Sequence, residues 1–427
     1  MKIGIIGAGF TGLSAAYYLQ KEGHDVTIFE RDTKPGGLAI GYKESNWKWT
    51  LEEHYHHWFT NDNSVLDLAR EISHDVIIKR PKTSSYVDGS IYQLDSPLSL
   101  LKFPKLSFMD RLRMGISVAL LRYNPFWKIL ENFTAEPYLK KSMGEKAYNL
   151  IWNPLMANKL GKYSRVVSLA WFWARVYKRT ESLAYPKGGF LDFAYHLEKI
   201  IKDKGGNFFY KTEITNIKSG KKPTIAYTEG KATKELLFDK IIVTVPTFAF
   251  LKMAPELPKS YSEKFSSLKG IGAVNIVIRL KEKFFPDNTY WLNMCDIKSP
   301  ILAVVEHTNF MDKKNYDNEH LIYIGNYMEP ADPRFNLSKE KLIDLYDPWL
   351  KKINPTYKKN IISSTLFKAP FAQPIIPTHY SKKIPPIKTP LENVYLANIQ
   401  QVYPWDRGTN YAVELGKKTS EIINNGE

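Results

Sequence analysis

A chain of 427 residues with 44% hydrophobic content is too long for one ordinary core, so two closely joined domains are expected. Its one cysteine, Cys295, excludes an intramolecular disulfide framework and a CxxC redox pair, fits a reducing, cytoplasmic setting, and reads as a buried small apolar residue. The net charge of +16 attracts anions, yet the basic residues are scattered with no RNP motif, zinc-finger spacing or basic zipper. Nucleic acid is therefore not an expected partner, and an anionic membrane surface or an anionic substrate remains.

Residues 3 to 20 carry no charge and are long enough to span a bilayer, but Gly4, Gly7 and Gly9 make a poor helix, and no basic segment of signal-peptide type precedes them. A folded motif is expected there instead. "KIGIIGAG" reads as a buried strand that runs into Gly7, Gly9 and Gly12 at GxGxxG spacing, "GLSAAYYLQKEG" continues at helical period, and "HDVTIFER" is a second strand. Gly7 permits the tight turn, Gly9 lets the backbone approach a pyrophosphate, and Gly12 lets the helix pack on the strand. Ala8 and Thr11 complete the loop, and the pyrophosphate is expected on the helix N-terminus, where free N–H groups and the dipole favour anions. Glu30, followed by Arg31, closes the second strand where a carboxylate accepts hydrogen bonds from a ribose diol.

"ERDTKPGGLAIG" then places Gly36, Gly37 and Leu38 just beyond Glu30. This doublet resembles the second signature of FAD enzymes with a glutathione-reductase-type Rossmann fold, and no second GxGxxG announces a built-in NAD(P)H domain.

The next stretch, "LEEHYHHWFTND", holds His54, His56 and His57. In an extended segment His54 and His56 share one face and His57 points oppositely, so one face offers two ligands where a metal site needs three or four; no metal is expected. "HHWFTND" resembles the "PHIFHTN" loop of UDP-galactopyranose mutases, flavoenzymes of the same superfamily that hold a histidine beside the isoalloxazine. The resemblance puts His57 against the flavin, as a tuning group or, with an ordinary near-neutral pKa, a proton shuttle. The alternative is a packed histidine capping a loop.

Residues 97–130 combine six Lys or Arg, one acid (Asp110) and closely spaced Leu, Phe, Met and Trp. They read either as an interfacial segment, with Leu101, Phe103, Phe108 and Arg113 at an anionic membrane that Lys102 and Lys105 attract, or as an internal helix pair lining a pocket.

"YPKGGFLDFAYHLEKIIKDKGGNFFYKTEITNIK" resembles the middle of the flavin amine oxidase, protoporphyrinogen oxidase and phytoene desaturase superfamily. Gly188 and Gly189 form a turn into a helix, and the resemblance brings a strand around Ile214 to the adenine through its backbone. "FDKIIVTVPTFAF" reads as the buried strand that returns to the FAD domain. Flavin amine oxidases carry a lysine in the strand matching "GAVNIVIRL"; here Val274 or Asn275 stands at that position, which weighs against amine oxidation.

In "ENVYLANIQQVYPWDRGTNYAVELGKKTSEII" a strand, a loop and a helix follow one another, and the resemblance places the helix N-terminus, at Thr409, Asn410 and Tyr411, against the flavin pyrimidine. The usual Gly-Asp is replaced by Ala397-Asn398, whose amide can still reach the ribityl chain without bringing charge. Tyr403, Asp406 and Arg407 fall where the loop should face the flavin, with a structural ion pair as the equal alternative.

These readings converge on an α/β protein in which a glutathione-reductase-type Rossmann FAD domain (1–80, 185–250 and 385–427) carries an inserted α+β substrate domain (81–184 and 251–384). The implied activity is hydride transfer from a substrate C–H to flavin N5, with His57, Tyr403 and Arg407 as catalytic candidates. The expected substrate is a small or lipid-like molecule, large and apolar or prenyl-like, with an anionic head. The alternative is a non-redox mutase acting on a nucleotide sugar through reduced FAD. A cytoplasmic location is expected, with attachment to the inner face of the membrane as an open alternative.

Overall fold

In the computed structural model, which describes residues 1–230 and 232–426, five parallel strands form the first sheet. Their order is Asn207–Phe209, Asp25–Phe29, Lys2–Ile6, Lys240–Val243 and Val394–Leu396, so three segments remote in sequence build one layer. The strand side chains alternate between two cores, as a two-residue period dictates. Ile3, Ile5, Val26 and Ile28 face the helices, whereas Ile6, Phe29, Ile241 and Val243 pack against an antiparallel three-stranded layer (Glu213–Lys218, Thr224–Glu229 and Ala232–Leu237). Both faces are covered, which is why these strands read as continuous apolar runs.

Helix Phe10–Lys21 lies on the first face, and the C-terminal helix Thr409–Asn424 packs across it. The approach is close because Gly416 has no side chain: a Cβ there would overlap Ser14 Oγ and the Thr11 carbonyl. Ser14 Oγ donates to the Val413 carbonyl at 3.3 Å across the same crossing.

A second sheet of seven strands runs in the order Ile361–Pro374, Gly270–Leu280, His320–Met328, Ala303–Glu306, Thr289–Met294, Lys82–Val87 and Ser90–Gln93. All neighbours are antiparallel except Lys82–Val87 with Thr289–Met294. One face buries Val274, Ile276 and Ile278 against helix Lys339–Ile353. The other face looks toward the parallel sheet and its helices; there Gly325 makes room for Tyr55, whose ring a Cβ would overlap. Cys295 is buried in the adjoining helical core.

Residues 97–177 form a layer of helices with its own core. Among the described residues no helix is long and apolar enough to cross a membrane. The reading of 97–130 needs one correction. Phe103 is 1% exposed and packs with Leu106 and Met114, because the turn after helix Pro97–Leu101 folds it under helix Phe108–Tyr123. Arg113 donates to the carbonyls of Lys141 and Ser142 at 2.5 and 3.1 Å, and Lys105 pairs with Asp88. Phe108, Met109, Ile116 and Leu120 stand in solvent instead, the last 66% exposed, so this face of the helix lines no internal pocket.

Candidate active site

The glycine loop forms a cradle lined by backbone. Gly7 has φ +106°, and a Cβ on Gly12 would overlap the Gly7 carbonyl. Gly36 N donates to the Ala8 carbonyl at 3.0 Å, and a Cβ on Gly37 would stand 3.0 Å from Gly9 Cα. The two glycine motifs thus lie one on the other, with room for backbone only. Glu30 accepts from Ala8 N at 2.8 Å and Asp32 N at 2.9 Å, which fixes its carboxylate at the strand end with lone pairs to spare. Thr212 N donates to the Glu30 carbonyl at 2.9 Å, bringing half-buried Ile214 to the same end of the cradle. Arg31 is exposed, Leu38 half-buried and Thr11 buried. Helix Phe10–Lys21 begins at Gly9 with neither a side-chain cap nor an acid in its first turn, leaving its amides to a ligand.

At the C-terminal helix, Gly408 likewise provides no side-chain cap. Thr409 Oγ1 accepts from Trp58 Nε1 at 2.5 Å and Asn410 Oδ1 from Val65 N at 3.1 Å, so both side chains tie the helix start to the histidine loop and the helix after it. Tyr411 stacks on Trp405, with its hydroxyl unpartnered. Asn398 is turned into the protein: Nδ2 donates to the Val245 carbonyl and Thr247 Oγ1, and Oδ1 accepts from Gln400 N. That leaves its amide one acceptor lone pair for any further partner.

The histidine loop departs from the expected alternation. The chain bends at Glu53 and His54, so His54 and His56 do not share a face. His54 Nδ1 meets Asn275 Nδ2 at 2.5 Å, His56 packs on Phe190 with Nδ1 against the His54 carbonyl at 2.5 Å, and His57 Nδ1 meets the Tyr290 hydroxyl at 3.2 Å. Burial pushes His54 and His57 down to about 3 and His56 to about 4, with neighbouring His56 or Arg407 charge adding to it at His54, and Arg179 at His57. All three imidazoles are therefore neutral at pH 7, and the near-neutral proton shuttle expected at His57 is not what this environment makes. Among the described residues no group of three or more His, Cys, Asp or Glu gathers as metal ligands. Of the two candidates for the lysine-equivalent position, Val274 is in the core and Asn275 faces the loop.

The loop before the C-terminal helix divides. Tyr403 points into the helical layer, where its hydroxyl donates to Glu131 at 2.9 Å and its ring meets Trp127 and Tyr380. Asp406 accepts from Arg175 Nη2 at 2.7 Å, an ion pair with a residue outside this loop. Arg407 donates from Nε to Gln373 Oε1 at 3.1 Å and from Nη2 to the Tyr327 hydroxyl. Arg175 lies 3.4 Å over the Trp171 ring, and Lys159 Nζ 5.2 Å from the Tyr327 ring centre. Burial, helped by Arg175 and Arg407, lowers Lys159 to about 7. Lys159, Arg175, Tyr327 and Gln373 carried no motif: they come from two helices and two strands and meet only in the folded chain.

The sequence model of the flavin containing amine oxidoreductase family matches residues 10–423. The chain belongs to this family. It is similar to coproporphyrinogen III oxidase of Staphylococcus aureus, 24% identical over 66% of this chain and 68% of that one. A 4,4'-diapophytoene desaturase of the same species is 60% identical over 12% of this chain and 10% of its own length. Among solved structures, reduced UDP-galactopyranose mutase superposes with TM-score 0.79 at 16% identity, covering 100% of this chain and 94% of that one. An oxidoreductase from Methanosarcina mazei gives 0.76 at 19% identity, covering 99% and 100%. The family fixes the protein as a flavin-dependent oxidoreductase with FAD as cofactor. The side-chain-free cradle, the uncapped helix start and the anchored Glu30 fit that group.

Proposed function

We propose that this family member removes hydride from a C–H of a large, apolar substrate that bears an anionic head. FAD, when bound, supplies the hydride acceptor at N5. The loop of Gly7 to Gly12 would hold its pyrophosphate, Glu30 its ribose, and the backbone near Ile214 its adenine. The start of the C-terminal helix, with its positive pole, would stabilise negative charge on the pyrimidine. His57, held by Tyr290 among Phe59 and Trp291, is a neutral hydrogen-bonding wall beside the ring and, with these aromatics, keeps water out. Arg407 fixes the substrate head.

The observation that carries this reading is the mixture of aromatic and cationic side chains, Tyr327, Trp171, Arg175, Arg407 and Lys159, around the loop that leads into the C-terminal helix. Neither Val274 nor Asn275, the two candidates for the position where the resemblance puts the lysine of amine oxidases, is a cation, which favours a carbon over an amine substrate. The oxidase and desaturases among the relatives support the same direction. The exposed apolar face of helix Phe108–Tyr123, in a chain of charge +16, supports docking on an anionic membrane, from which an apolar substrate would be drawn.

The cationic group also favours a second reading, a mutase acting on a nucleotide sugar. Stopped-flow spectroscopy separates the two: under the first, substrate bleaches the flavin band near 450 nm and an added acceptor restores it. Turnover without net electron consumption would replace the first reading with the second.

A further inference from the structure

A cleft of about 530 Å³ opens at the far end of the second sheet. Lys79 reaches it from the end of strand Val76–Lys79, Lys283 from the loop before strand Thr289–Met294, and Lys313 from the turns after strand Ala303–Glu306. Among the described residues none of the three has an ion pair. Lys79 Nζ donates to the Phe310 carbonyl at 3.1 Å and Lys283 Nζ to Asn288 Oδ1, so two ammonium groups are tethered to the cleft's own walls and keep protons to donate. The nearby carboxylates are engaged: Asp287 pairs with Lys82 at 2.6 Å, and Asp312, in the lining, accepts from Lys314 N at 2.9 Å. Cations gathered in a concavity focus their field on an anion.

The walls are braced without help from a ligand. Asn309 Nδ2 donates to the Thr289 carbonyl at 2.8 Å and to Glu306 Oε2 at 2.9 Å, and the fully buried Glu306 also accepts from Phe284 N at 3.1 Å and Phe285 N at 2.8 Å. His320 lines the same cleft at 8% exposed. Its Nδ1 lies 3.3 Å from Glu306 Oε1, yet is buried with no hydrogen bond. One unsatisfied nitrogen in an otherwise satisfied wall is where an occupant completes the set.

We propose that Lys79, Lys283, Lys313 and His320 form a binding site for a phosphate monoester, separate from the cofactor and from the substrate. A planar carboxylate is matched by a guanidinium fork, whereas ammonium groups act as point charges. Donors arriving from three separate segments therefore suit a phosphoryl group, which turns an oxygen toward each. The cleft is wide enough for the ester's body as well. His320 and Tyr327, the partner of Arg407, stand seven positions apart on strand His320–Met328, which puts the cleft roughly 23 Å along the strand from the 403–408 loop.

The test uses FAD-saturated protein and labelled inorganic phosphate in equilibrium dialysis. Lys283→Gln and Lys313→Gln should each weaken binding by about 3–10-fold, the loss of one hydrogen bond, and the double variant by about 10–100-fold. The exposed Lys382→Gln should change nothing, and binding should persist in Arg407→Gln. Unaltered FAD content and flavin spectrum certify that each variant is folded. Wild-type affinity in the double variant, equal weakening by Lys382→Gln, or loss of binding in Arg407→Gln would overturn the site. Displacement by glycerol phosphate assigns a soluble ester, displacement by vesicles of phosphatidic acid alone assigns a lipid headgroup, and displacement by neither overturns the ester assignment.

Discussion

His57 Nδ1 stands 3.2 Å from the Tyr290 hydroxyl, with Phe59 and Trp291 edge-on to the same imidazole. The pair joins the histidine loop to a strand of the second sheet, and burial there disfavours the charged imidazole.

Acid should therefore loosen this junction. An unfolded histidine binds its proton near pH 6.5, but folded His57 does so only near 3, so between those values the unfolded state holds more protons and stability falls as pH falls. At pH 5 this one imidazole costs up to about 2 kcal/mol relative to pH 7 and above. Urea unfolding at pH 7 and pH 5 should show a smaller acid loss in His57→Asn than in wild type. Equal losses would mean that His57 titrates normally.

Cofactor retention should depend on the apposed glycine motifs. Gly37→Val puts a branched side chain against Gly9 at φ +59°, a backbone conformation that Val resists, and should yield protein that purifies with little or no FAD. Glu30→Ala leaves two amides unpartnered and should weaken FAD by roughly 10–100-fold. Flavin absorbance per protein and fluorescence titration of the apoprotein measure both.

Lys159→Met should stabilise the protein, because burial disfavours the ammonium. Lys159 titrates near 7 in the folded chain and near 10.5 when unfolded, so its penalty is full below pH 7 and is relieved as pH rises toward 10.5. Denaturant midpoints at pH 6 should rise by the equivalent of about 1–3 kcal/mol, and the gain should shrink at pH 9.5. Loss of stability at pH 6 would contradict this.

Ile116→Glu with Leu120→Glu should reduce sedimentation with vesicles containing anionic lipid, while unfolding stays within about 0.5 kcal/mol of wild type because both residues are exposed. Binding to the anionic vesicles should also fall with salt. Unchanged sedimentation of the double variant would remove this face as the docking surface.

What could be read beforehand was local. Gly7, Gly9, Gly12 and Glu30 fall within one strand-helix-strand unit, where spacing and backbone conformation dictate each other, and the Gly36-Gly37 turn adds its own short-range signal. The histidines misled because alternation presumes extended chain, whereas the chain bends at Glu53 and His54 and is not strand again until Trp58, so that His54 and His57 both meet the second sheet and His56 packs on Phe190. Phe103 and Phe108 look alike in sequence, and only the turn between them decides that one is core and the other surface. Lys159, Arg175 and Tyr327 had no signal at all, since Lys, Arg and Tyr abound in this chain and tertiary packing alone selects these.

The crossing at Gly416 also sets an order of events during synthesis. The fingerprint helix is made long before the edge strand Val394–Leu396 and the helix that braces it. Contacts of such sequence separation form slowly and only once both ends exist. A growing chain thus carries its glycine loop through the synthesis of both sheets without the brace that stiffens it, and the loop gains that support only when helix Thr409–Asn424 docks.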